Sequence, residues 1–153
     1  MTLAYLFWHQ AREAEGYEVR LRTFHESLPT ASASFRLAEL PFRAEPGYED
    51  WYLVDGWEAL GNLSRVALET GTHDPVAAMS GHGWGGIWAP VAGSAEIPVG
   101  AIEWVDKPRG VPYRDYFASL GGDALWCRQL VLGPAPEVAV VSGERSDARV
   151  RIA

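Results

Sequence analysis

Bulky side chains fall on both faces of the first stretch, LAYLFWH over residues 3–9: Tyr5, Phe7 and His9 point one way, Leu6 and Trp8 the other. A strand that is apolar on both sides is covered on both, so this stretch predicts a central strand. The period then lengthens. Tyr17, Leu21, Phe24 and Leu28 recur at i, i+4, i+7 and i+11, which predicts an amphipathic helix over 16–28, ended by Pro29. Residues 31–40 return to a strand pattern that firms at Phe35. Asp50 to Val54 predicts another strand, and it feeds directly into a helix in which Trp57, Leu60, Leu63 and Ala67 share one face and Gly71 is the stop. Asp55 with Glu58 three residues on has the spacing of a capping box, and Trp57 reads as core.

Asp74 followed by Pro75 predicts a short helix, since proline at the first helical position gives up an N–H that has no partner anyway. The glycines of GHGWGG, residues 81–86, predict a mobile segment, a lid carrying His82 and Trp84 or a plain connection. Residues 86–91 predict a strand that Pro90 pushes toward a sheet edge, and 93–99 read as a linker. A strand at GAIEWVD, a short helix opened by Pro112, and strands over 124–132, at EVAVV and at ARVRI complete the chain.

The two parts of the chain lie over each other. Tyr5–Trp8 matches Ala101–Trp104, Ser34-Phe35-Arg36 matches Trp126-Cys127-Arg128, and Tyr52–Gly56 matches Ala139–Gly143. Each part reads strand, helix, strand, strand; only the first continues into a long helix. The expected fold class is therefore α+β: ferredoxin-like, with tandem βαββ(α)β units forming an antiparallel sheet or an α/β barrel with helices on one face. Residues 1–93 make the complete unit, and 94–153 an abbreviated one packed with it. In topology this resembles the dimeric α/β-barrel superfamily, which includes antibiotic-biosynthesis monooxygenases, muconolactone isomerases and haem-binding chlorite dismutase relatives. The resemblance implies a lumen and a homodimer and assigns no residue a role.

Composition narrows the partners. A net charge of −7 with a single lysine, Lys107, gives a nucleic-acid backbone or an anionic membrane little to bind. The one cysteine, Cys127, excludes an intrachain disulfide and a cysteine-based zinc site within one subunit. The first residues lack the basic start and long apolar run of a signal peptide, and no run reaches the ~20 residues of a membrane helix, so a cytoplasmic protein is expected.

Chemistry is sparser. His9 ends the first strand and reads as a catalytic base or a partly exposed histidine. Glu103, Arg36 and Arg128 fall inside strands, where a charge either faces water or needs a partner. In a lumen, Glu103 would join His9 in catalysis and the arginines would bind a polar ligand group; on an open face they form cross-strand pairs. Tyr52 and Trp104 would line that lumen with aromatic surface, and His82 would close over it. If a site exists, it is expected on the sheet face away from the 55–71 helix. No metal-ligand spacing, nucleophile elbow or dinucleotide fingerprint occurs, and no cofactor is indicated beyond haem, which would need a histidine in the pocket. Two readings stand. One is a barrel that binds a small apolar or aromatic molecule, with cofactor-free chemistry. The other is a non-enzymatic module whose aromatic excess forms a homo-oligomeric interface.

Overall fold

The computed structural model describes all 153 residues, Val131 and Leu132 by backbone alone. In order the elements are β1 (Thr2–Ala11), α1 (Tyr17–Ser27), β2 (Ser32–Leu37), β3 (Gly47–Asp55), α2 (Gly56–Glu69), α3 (His73–Ala77), β4 (Ser80–Gly93), β5 (Ile102–Val105), α4 (Tyr113–Ser119), β6 (Ala124–Leu132), β7 (Val138–Val141) and β8 (Arg149–Arg151). The strands form one antiparallel sheet in the order β5-β7-β6-β4-β1-β3-β2-β8. β1 is central as its two apolar faces demand, with Tyr5 opposite Tyr52 on one side and Ile87 on the other.

The sheet curls into a half-barrel. Its concave face is packed with tryptophan: Trp8, Trp51, Trp88 and Trp126 are completely buried. The ring of Trp104, on edge strand β5, reaches across to lie 5.0 Å from Trp8 and 5.9 Å from Trp88 on the central strands. At the opposite edge, Arg149 of β8 donates from Nη1 to the carbonyls of Pro98 and Gly100, at 2.8 and 3.0 Å, just ahead of β5. The two edges of the sheet are thus clasped by one guanidinium. That side chain also meets Glu49, whose carboxylate is fully buried and accepts from Arg149 Nε and from the indole N–H groups of Trp8 and Trp51. Burial pulls the Arg149 guanidinium down, and the charge of Glu49 opposes the shift.

Helices α1, α2 and α3 cover the convex face over a second core built on Leu3, Leu21, Phe24, Val54, Leu63 and Ile87. This architecture is predominantly β and corrects the expected ferredoxin-like fold and the dimeric α/β-barrel resemblance. Those called for two α/β layered units. Hydrogen bonding instead runs through a single sheet from β5 to β8, with β4 paired to β6 from Gly85 to Gly93. The second part brings no helical layer of its own: α4 buries no residue, and β7 passes to β8 without a helix. Of the seven tryptophans, Trp8, Trp51, Trp88 and Trp126 are fully buried within the one chain, whereas Trp57 is not.

Local expectations differ in instructive ways. GHGWGG is no lid; it is the paired first half of β4. Pro90 sits in a central strand, but beyond Trp88, where pairing with β1 ends, and beside a register shift against β6. Asp55 precedes α2 without a side-chain cap; its carboxylate takes the N-terminal ammonium of Met1 at 2.8 Å instead. Trp57 is 51% exposed and is not core.

Candidate functional site

Tyr5, Phe7 and His9 alternate along β1 toward the convex face, and the register of β3 sets Tyr48, Asp50 and Tyr52 beside them. Across β1 the partners on β4 are glycines: Gly83 lies opposite His9 and Gly85 opposite Phe7. A Cβ at Gly83 would stand 2.2 Å from Phe7 Cζ, and one at Gly85 would stand 2.7 Å from the Leu6 carbonyl oxygen and 3.1 Å from the Phe7 ring. The glycines therefore make room for aromatic rings on the sheet floor. Above this floor, α1, α2 and α3 do not close fully, and a pocket of 790 Å³ remains. Its walls are largely apolar: Leu21 and Phe24 from α1, Leu28 just past its end, Trp57, Leu60 and Ala67 from α2, and Ile87 from β4. That volume falls in the range of small-molecule sites.

Five of the pocket's polar side chains, Tyr52, Asp50, His9, Tyr17 and Ser80, are linked in series. Asp50 Oδ2 accepts from Tyr52 O–H at 2.9 Å and faces His9 Nε2, also at 2.9 Å. His9 Nδ1 is 2.6 Å from Tyr17 Oη, which is 3.0 Å from Ser80 Oγ. Ser80 Oγ lies 3.0 Å from the Val76 carbonyl. His25, stacked on Tyr52 with ring planes 7° apart, brings its Nε2 to 3.6 Å from Asp50 Oδ1 and leaves Nδ1 without a partner. Asp50, His9 and Tyr17 are buried, and Ser80 is the partly exposed end of the chain.

Burial alone would raise the Asp50 carboxyl; the charge and hydrogen bonds of His9 and His25 outweigh it and hold the group well below the usual carboxylate range. Asp50 is then an acceptor only, so His9 Nε2–H donates to it. Burial, with the charge of Asp50 adding to it, pushes the Tyr17 and Tyr52 phenols upward and brings Tyr5 to about 12, so all three keep their protons at neutral pH.

With the Nε2–H committed to Asp50, two proton arrangements satisfy the chain. In one, Tyr17 O–H donates to His9 Nδ1. In the other, His9 carries a second proton and donates from Nδ1 to Tyr17, Tyr17 donates to Ser80, and Ser80 donates to the Val76 carbonyl. They differ by one proton, which can pass by successive hydroxyl transfers between the Ser80 end and the buried imidazole. The chain thus offers one proton a path between the Ser80 end and His9.

Of the residues singled out in the sequence, His9 and Tyr52 come together here. The others lie elsewhere. Glu103 is exposed on β5. Arg36 is exposed and pairs with Glu18 of α1 at 2.8 Å. Arg128 donates to the Ala135 carbonyl. Trp104 belongs to the concave tryptophan cluster, and His82 is exposed, 6.0 Å from the Trp84 ring. The pocket also opens on the α2 side of the sheet, opposite to the face expected, because the concave side is filled with indoles. Asp50, Tyr17 and Ser80 were missed. The available signal was Glu49-Asp50, two consecutive carboxylates within an otherwise aromatic strand, which places one charge on each face.

Among the described residues, no group of three or more His, Cys, Asp or Glu side chains is arranged to hold a metal ion. No helix is long and apolar enough to cross a membrane. No protein-family model, no curated protein and no solved structure matches this chain.

Proposed function

We propose that the chain binds a small, predominantly apolar or aromatic molecule between its helices and the convex face of the sheet, and that the Asp50–His9–Tyr17–Ser80 chain serves cofactor-free proton transfer on that molecule. One observation carries this reading: a largely apolar 790 Å³ pocket is lined by a continuous hydrogen-bonded chain anchored on a buried carboxylate. A chain of this kind is costly to bury for packing alone, because each polar group removed from water must find a partner.

In this reading Asp50 fixes the tautomer and orientation of His9, His9 stores the proton, and Tyr17 and Ser80 conduct it. The uncharged dye N-phenyl-1-naphthylamine tests the binding half. Its fluorescence should rise on mixing with the wild-type protein and stay flat with Ala67→Trp, which fills the pocket from α2. Equal enhancement in both would mean that the dye sits elsewhere and would sink the reading.

A further inference from the structure

Charge is distributed unevenly around the pocket. No lysine or arginine lines it among the described residues, whereas Asp50 does. A carboxylate or phosphate on a ligand would enter without a counter-ion and against a buried negative charge. An organic cation gains little either: Asp50 Oδ2 already takes Tyr52 and His9, and Oδ1, which has no hydrogen bond, is buried with His25 Nε2 3.6 Å away.

On the sheet floor of this pocket one hydroxyl is uncommitted. Tyr5 lies at the centre of the pocket floor between Tyr52 and Ile87, its ring 5.7 Å from that of Tyr52. The ring is half-buried, and its hydroxyl has no hydrogen-bond partner among the described residues, whereas the hydroxyls of Tyr17, Tyr48 and Tyr52 are all engaged. Its pKa, pushed up to about 12 by burial and by Asp50, keeps it an O–H donor.

We propose that the pocket selects uncharged ring compounds bearing a single hydroxyl or carbonyl oxygen, and that Tyr5 is the residue that recognises this oxygen. This inference rests on the pocket being a binding site at all. Tyr5 donates to the ligand oxygen, and the stacked rings of Tyr5 and Tyr52 with Phe7 and Phe24 hold the flat remainder.

The test displaces N-phenyl-1-naphthylamine with four compounds of one ring system at pH 7: naphthalene, 2-naphthol, 2-naphthoate and 2-naphthylmethylamine. On the wild-type protein 2-naphthol should compete best, about tenfold or more ahead of the carboxylate and the ammonium, which pay the cost of burying an uncompensated charge. Tyr5→Phe keeps the ring and should weaken 2-naphthol by about three- to tenfold, the worth of one hydrogen bond, while leaving naphthalene unchanged. The inference is overturned if the carboxylate or the ammonium competes as well as 2-naphthol, or if Tyr5→Phe leaves 2-naphthol unaffected. Failure of the dye to bind the wild-type protein overturns the pocket reading itself and this one with it. If Tyr5→Phe does not fold, the wild-type charge series decides alone.

Discussion

Asp50 shows how much one side chain can carry that its neighbours in sequence hide. It stands between Glu49 and Trp51 on β3, yet the two adjacent carboxylates answer to different cores: Glu49 to the tryptophans and Arg149, Asp50 to His9, His25 and Tyr52. His9 was legible, because a histidine on an apolar face draws attention; its partner was not, because a carboxylate near a strand end usually faces water. The folded pKa of Asp50 lies below its unfolded value of about 3.9. The stability it contributes is therefore complete above pH ~4 and is lost as pH falls further toward the folded value. Asp50→Asn should cost on the order of 3–5 kcal/mol at neutral pH, since it breaks a buried charged network. The variant should also lose less stability than the wild type between pH 5 and about 2.5. Urea melts across that range check both; parallel pH curves would remove Asp50 as the source of acid sensitivity.

Elements were more legible than their assembly. The both-faced pattern of β1, the stripe of α1 and the strand–helix joint of β3 with α2 are local properties, written in periods of 2 and 3.6. Pairing partners are not local. Nothing in residues 80–93 announces that their glycines face Phe7, and glycine reads as mobility until the opposing ring is known. With the ring in view, Gly83→Ala should destabilise by about 1–3 kcal/mol, because Phe7 must leave its position or β4 must shift. A chemical denaturation curve measures this, and coincidence with the wild type would mean that β4 is looser than described. In α2, period alone cannot separate a stripe that packs from one that borders a pocket. Trp57 belongs to the second kind, so Trp57→Ala should cost less than about 1 kcal/mol where a core tryptophan costs 3–5, and it should weaken dye binding. Asp55→Ala should leave the melting temperature nearly unchanged, because its partner is the exposed N-terminal ammonium and not the helix backbone.

For the whole molecule, closure of the half-barrel depends on a side chain in a three-residue strand. Arg149 holds the Pro98 and Gly100 carbonyls across the seam while its charge is matched by Glu49 inside. Arg149→Ala should cost about 3–5 kcal/mol, because it strands Glu49 in the tryptophan core. Hydrogen exchange should rise first in β8 and in residues 98–101; exchange that rises evenly over the sheet would show that the seam is not the weak line. The sequence could not announce this clasp, since Arg149 and Glu49 are a hundred positions apart in the chain. The packed indoles it encloses have an optical consequence. Trp8, Trp88, Trp104, Trp51 and Trp126 form a series of rings spaced 5.0 to 6.5 Å apart, close enough for excitation energy to hop among them before any one emits. Their shared emission should be strongly depolarised and blind to the pocket, because the sheet stands between. Trp57 alone among the tryptophans lines the pocket, so a protein carrying Trp57→Phe should keep its ultraviolet glow and lose its power to report a guest.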